Sequence, residues 1–427
     1  MMAIRDGGEP EGGGLTWATR LRDAALTGVI ALLLFAPLTG VTLTGYALEG
    51  HWQRPLWLAA GVVVGRLLIG LFLEARRARP PVESAQASEK VGWIDRNRPF
   101  ILGLALACAL ILPWFIGKYW LNVAILALIY VLLALGLNIV VGLAGLLDLG
   151  FVAFYAVGAY GYALGFKYLG LSFWLALPSA ALLAGLCGIL LGFPVLRMHG
   201  DYLAIVTLGF GEIVRLVLNN WMELTGGPNG VRAPFPSLFG LEFGRRAQPG
   251  HTTFHEFFQI PYSSETRDIF FYLLLLMVVA GMIFVVRRLR RMPLGRNWEA
   301  LREDEIACRS LGIQPVTVKL SAFGLGAMTG GLGGVFFAAS QGFVNPTSFT
   351  FMESAHILAM VILGGMGSTG GVIIAAVILT VLPEVLRDFA EYRGLAFGMA
   401  MVGMMIWRPR GLMGIRRARF HRSEVGR

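Results

Sequence analysis

The chain has 427 residues, 56% hydrophobic and 15% charged, with a formal net charge of +10 and a mean hydropathy of +0.67. A soluble domain carries about a quarter charged residues, so this composition excludes one. The surplus basic residues cluster at the ends of apolar runs, at Arg76, Arg77 and Arg79, at Arg287, Arg288, Arg290 and Arg291, and at Arg408, Arg410, Arg416, Arg417 and Arg419, which is a topology signal rather than a nucleic-acid surface.

The apolar blocks are about 20 residues long, enough for a helix to cross about 30 Å of hydrocarbon and too long for barrel strands. In chain order, residues 1–23 (MMAIRDGGEPEGGG onward) form a Gly-rich leader expected to be disordered, with no cleavable signal pattern. Residues 24–75 hold two spans, over 24–43 and 56–74, that read as an N-terminal appendage. A charged, Pro-containing linker over 76–99 leads to a core over 100–407, and a basic tail fills 408–427. Within the core, spans are predicted over 100–117, 119–141, 146–166, 172–196, 202–220, 269–286, 318–340, 353–366, 369–386 and 394–407. The runs 146–166 and 353–366 are Gly-rich and open to being broken or re-entrant. The fold class is thus all-α, a polytopic transmembrane bundle of 10–12 spans.

With the N-terminus in the cytoplasm, the Arg-rich segments 75–99, 287–317 and 408–427 all fall on that side, and so does the C-terminus. The opposite side receives the long loop 221–268, whose TGGPNGV (225–231) is turn chemistry. Glycines at 158, 161 and 165, and at 324, 326, 330, 331, 333 and 334, predict close helix packing, and GGMGSTGG (364–371) predicts a non-helical junction between two spans. That junction lacks the Lys-Ser/Thr of a phosphate loop, so no ATP site is expected here.

Polar residues inside spans are candidates for function by default. Here they are Asn138, Asp148, Glu212, Arg215, Glu353 and His356. Glu212 and Arg215 are three apart and share a helix face, where they can neutralise each other or line a polar path. Asp148 sits near the cytoplasmic end of its span and is expected to be exposed at the interface. His251 and His255 in HTTFHEFF have metal-like spacing but no third ligand, and Cys108, Cys187 and Cys308 are scattered, so neither a metal nor a cofactor is predicted.

The segment NWEALREDEIACRSLGI (297–313) is charged and helix-favouring inside a hydrophobic chain. Trp298, Leu301, Ile306, Cys308 and Ile313 share one half of a helical wheel, predicting a short helix beneath the membrane that presents polar groups to a partner.

From Phe100 onward the chain resembles the M-type permease of the high-affinity branched-chain amino-acid (Liv) ABC importers. The resemblance is carried by GLNIVVGLAGLLDLGFVAFYAVGAY (136–160), GFPVLRMHGDYLAIVTLGFGEIVRLVLNN (192–220), TGGPNGV (225–231), RMPLGRNWEALREDEIACRSLGI (291–313) and VILGGMGSTGG (361–371). It implies a fold of the ABC importer permease type in a bacterial inner membrane, without catalysis of its own. It implies that 299–313 is a coupling helix seated on an ATP-hydrolysing subunit, with Trp298, Glu299, Arg302, Glu303, Asp304, Glu305, Ala307, Arg309 and Gly312 as coupling residues. The family's Glu-Ala-Ala…Gly pattern is only approximated by Glu305, Ala307 and Gly312, with Ile306 departing from it. Implied partners are an H-type permease, two ATP-binding subunits, membrane lipid and a periplasmic binding protein that delivers leucine, isoleucine and valine. Two other classes stay open on the residues alone. One is a secondary transporter driven by an ion gradient through Asp148, Glu212 or Glu353, and the other is a membrane enzyme, for which no reacting constellation assembles.

Overall fold

The structure, a computed structural model, describes residues 41–44, 47–50, 98–195, 201–237 and 263–385, with the isolated positions 56, 241–242, 252–253, 398, 402 and 411–412. The expected spans over 56–74 and 394–407, most of the span 24–43, the leader, nearly all of the linker and tail, and the two histidines of the exterior loop lie outside the described residues. The chain divides into two compact units, residues 1–101 and 102–427. In the first, β1 (Val41–Thr44) pairs antiparallel with β2 (Ala47–Gly50).

The second unit is helical. After α1 (Arg98–Ile111) come α2 (Lys118–Leu137), α3 (Val152–Leu169), α4 (Phe173–Val195), α5 (Asp201–Asn220) and the short α6 (Met222–Thr225). There follow β3 (Val231–Arg232), β4 (Leu241–Glu242) and β5 (Thr252–Thr253), then α7 (Ser264–Arg291), α8 (Pro293–Glu303), α9 (Glu305–Ser310) and α10 (Pro315–Gln341). The last described elements are β6 (Phe343–Val344), α11 (Phe351–Gly364) and α12 (Thr369–Val385). Among the described residues six stretches are long and apolar enough to cross a membrane: Lys118–Leu143, Phe173–Pro194, Tyr202–Asn220, Ser264–Arg291, Pro315–Gln341 and Pro346–Gly364. The protein is a multi-pass helical membrane protein.

The core is built around α10. Lipid cannot drive helices together as water does, so close packing and small residues must. On α10, Gly331 lies so near Gly158 of α3 that a Cβ on Gly158 would run into the Gly331 backbone. Gly334 likewise abuts the α3 backbone at Tyr155 and Ala159, and Gly331 meets Ala180 and Ala184 of α4. Phe151, Phe154 and Phe323 pack against glycines of these helices.

Two breaks interrupt the bundle. α2 runs into a π-turn over Asn138–Leu143, and residues 144–151 are not helical before α3 begins. Of the predicted span 146–166, residues 146–151 are not helical and the remainder lies in the continuous α3. Backbone groups in the unwound piece find other partners, Leu146 N–H on Val140 O at 3.0 Å and Leu149 N–H on Thr207 Oγ1 at 3.1 Å, as burial away from water demands. The other Gly-rich run, 353–366, is a continuous helix, α11, until Gly364. The second break is the junction after it, where Gly365 and Gly367 take φ of 100° and 85°. Only glycine holds such angles without strain.

Gly158→Ala should destabilise the fold by about 1–3 kcal/mol through overpacking and so lower the midpoint of thermal unfolding in detergent. Gly281→Ala on α7, where a Cβ meets nothing within 4 Å, should be neutral or stabilise by up to about 1 kcal/mol. Equal effects of the two would contradict backbone contact as the organising feature.

Candidate functional site

Between the spans α7 and α10 the chain forms a helical hairpin, α8 and α9, where a single helix is expected from the sequence. The division falls at Asp304, whose backbone is extended (φ −157°, ψ 111°). Its carboxylate accepts the N–H groups of Ile306 at 2.8 Å and Ala307 at 3.0 Å, a side-chain cap that starts a new helix. At the other end Gly312, with φ 80°, closes a left-handed turn in which Ile313 N–H reaches Cys308 O at 3.1 Å.

The inner face of the hairpin is anchored to α10. Trp298 is fully buried, and its indole Nε1 donates to Val318 O at 3.1 Å and Ser321 Oγ at 3.0 Å. Truncating a buried side chain of this size ordinarily costs about 3–5 kcal/mol. Leu301 and Cys308 are buried beside it. Lys319 of α10, itself buried, bonds Glu305 Oε2 at 2.7 Å, while Glu305 Oε1 takes Arg309 at 2.7 Å. Burial resists ionisation of Glu305, but Lys319 and Arg309 outweigh it and hold the carboxyl below the usual glutamate range.

The outer face corrects the sequence reading. Ile306, expected on the buried side, is 78% exposed, and Leu311 is 80% exposed. The restart at Asp304 turns α9 so that its register no longer continues that of α8. The surface offered therefore mixes the apolar pair Ile306 and Leu311 with the exposed polar residues Glu303, Asp304, Arg309 and Ser310. Asp304 and Glu305, named from the sequence among the coupling residues, also make the internal bonds that shape this segment.

A second set of contacts ties α8 to the breaks in the bundle. Arg302 Nη1 donates to Gly142 O in the π-turn, and its stem lies across Gly145. Arg290, in the last turn of α7, pairs with Glu299 at 2.7 Å and reaches Gly367 O at 3.4 Å. Gly367 N–H in turn donates to Asn138 Oδ1 at 2.8 Å. The sequence marks Glu299, Arg302 and Asn138 as site candidates, Arg290 only as part of a basic cluster and Gly367 only as part of a glycine-rich junction, and it does not mark Lys319 or Gly142.

The remaining intramembrane polar residues find separate partners. Asp148 is 1% exposed, not at the interface as expected, because the unwound segment carries it inward. Its Oδ1 accepts Gly150 N–H at 2.9 Å, and its Oδ2 is buried without a partner. Arg215 Nη2 lies 2.8 Å from Glu212 Oε2 on α5, both about one-third exposed. Glu353 of α11 accepts the Tyr130 hydroxyl at 2.8 Å, and His356 lies one turn further along that helix. Elsewhere, the turn after α6 packs on the β3–β6 pair, with Val231 opposite Val344 and Gly230 against Val344 O. No cluster of metal-ligating side chains occurs among the described residues.

Comparison with known proteins gives a family-model match over residues 119–407, described as a branched-chain amino acid transport system / permease component. Residues 19–112 match a domain of unknown function. The chain is 56% identical over 328 residues to the high-affinity branched-chain amino acid transport system permease protein LivM of Escherichia coli (strain K12), covering 76% of this chain and 77% of that one. A more distant relative is the autoinducer 2 import system permease protein LsrC of Escherichia coli O9:H4, 26% identical over 74% of this chain and 88% of that one. No solved structure matches.

Glu305 titrates lower in the folded chain than in the unfolded one, so its contribution to stability is complete above the ordinary glutamate pKa and is lost as pH falls through the lowered value. Amide protection in α9 should exceed that of the Glu305→Gln variant near neutral pH, and the difference should close in acid. A difference that ignores pH would contradict the ion-pair role.

Proposed function

The chain belongs to the family of permease components of branched-chain amino acid transport systems, and from that premise we infer that it is a membrane-spanning subunit of an ATP-driven importer. Its substrates would be leucine, isoleucine and valine, handed over by a periplasmic binding protein and passed along a path shared with a second permease. Two partner subunits would bind and hydrolyse ATP, and the absence of any Gly-Lys-Ser/Thr run in the chain accords with that division. In this reading the protein lies in a bacterial inner membrane with both termini in the cytoplasm, as the distribution of arginines favours.

The observation that carries the reading is the α8–α9 hairpin. Its inner face is nailed to α10 through Trp298 and Lys319, and its outer face offers Ile306 and Leu311 to solvent. An apolar pair held out on a short rigid element suits the centre of a protein interface, which is depleted in charge, with Arg309 at its rim. Coupling then depends on Ile306, Ala307, Arg309, Leu311 and Gly312 for contact, and on Trp298, Arg302, Asp304 and Glu305 for rigidity. The Gly226–Val231 turn and the β3–β6 pair, at the other end of α5 and α10, would form part of the surface that meets the binding protein. Glu353 is engaged across helices by Tyr130, and one oxygen of Asp148 by Gly150 N–H, which favours structural roles over an ion-coupled path.

Ile306→Asp with Leu311→Asp should leave the membrane bundle folded, because neither side chain is buried, and should prevent co-purification with the ATPase subunit. Retention of the ATPase at the native level, with transport intact, would remove this assignment of the docking face.

A further inference from the structure

Four hydrogen bonds and one close packing contact, that of Gly142 on Asn138, form a ring around α8. Starting on α8, Glu299 Oε1 takes Arg290 Nε at 2.7 Å, and the same guanidinium reaches Gly367 O at 3.4 Å. The same glycine donates its backbone N–H to Asn138 Oδ1 at 2.8 Å. Gly142 packs directly on that Oδ1 and on Gly367 N, leaving no room for a side chain, and its carbonyl accepts Arg302 of α8. Glu299 and Arg302 are three residues apart, so one face of α8 holds both ends of the ring.

The ring passes through both helix breaks of the bundle. Asn138 and Gly142 belong to the π-turn that ends α2, and Gly367 belongs to the junction between α11 and α12. Such interruptions have fewer helical hydrogen bonds to lose, and π-turns recur at functional sites. Asn138 is fully buried among apolar neighbours, and its Nδ2 has no partner. The amide keeps its place through Oδ1, which satisfies the buried Gly367 N–H that an apolar side chain would leave without a partner, so Asn138 is held there as a link between the two breaks and not as packing.

Building on the importer reading, we propose that this ring carries movement of α8 into the two helix breaks, with Asn138 as the positioning residue at its buried corner. Rigid-body displacement of α8 pulls on Gly142 O through Arg302 and on Gly367 O through Arg290. Asn138 forces the two breaks to respond together. The unwound segment 144–151 and the junction 365–368 absorb the change in dihedral angles, as hinges do.

The test uses the complete importer, with both permeases, the ATPase subunits and the binding protein, in proteoliposomes. Leucine taken up per ATP hydrolysed is measured together with co-purification of the ATPase. Asn138→Leu cuts the ring at its buried corner, and Glu299→Ala cuts it at an exposed one. Each should keep the ATPase bound while uptake per ATP falls about tenfold, within the usual range of coupling between sites. The double variant should be no worse than the worse single, because both break one circuit. Glu299→Gln, which keeps an acceptor oxygen for Arg290, should restore most of the uptake. Native stoichiometry in Glu299→Ala, or losses that multiply in the double variant, would overturn the ring. If Asn138→Leu fails to assemble, Glu299→Ala and Arg302→Lys decide the question by the same ratio. Absence of ATP-dependent uptake in the native complex would instead defeat the importer reading itself.

Discussion

Everything in the bundle depends on how closely α10 approaches its neighbours. Gly331 and Gly334 bring its backbone against that of α3, and Ala180 and Ala184 let α4 close on the same stretch. Contacts of this kind have no flexible side chain to yield, so α3, α4 and α10 behave as one body. In lipid, where apolar surface gains nothing by leaving its surroundings, that fit is the main source of association between helices. The same absence of side chains makes the packing intolerant, since one methyl group has nowhere to go.

That rigidity gives the α8–α9 hairpin its meaning. The hairpin precedes α10 in the chain and is fastened to its first turns by a buried indole and a buried lysine. Lys319 is buried and Glu305 half-buried, and Lys319 and Arg309 together hold the Glu305 carboxyl below its usual range. A surface helix tied down in this way cannot swing independently of the span it precedes. In the proposed assembly, force applied at Ile306 and Leu311 would act on α10 and, through Arg302 and Arg290, on the helix breaks as well.

How much of this can be read in the sequence depends on the range of each interaction. Hydropathy marks α2, α4, α7 and α10, because a span is a property of about twenty consecutive residues. The pairing of Glu212 with Arg215 follows from spacing alone, as does the junction at Gly365 and Gly367. The restart at Asp304 was within reach, since Asp followed by a Glu in the first turn is a helix-start signal, but the wheel drawn through 297–313 assumed one continuous helix. Burial of Asp148 was not legible, for it arises from unwinding between a π-turn and α3 that no local preference announces. The bond from Gly367 to Asn138 joins residues 229 apart, and nothing in either neighbourhood names the other.

The most direct test is a pair of structures of the assembled importer, with and without bound ATP analogue. If the hairpin and α10 move as one body, the Trp298 Nε1 to Val318 O bond, 3.1 Å here, should persist in both. The change in backbone angles should then concentrate in residues 144–151 and 365–368. A hairpin that slides over α10, with that bond broken and the two helix breaks unchanged, would contradict the central claim.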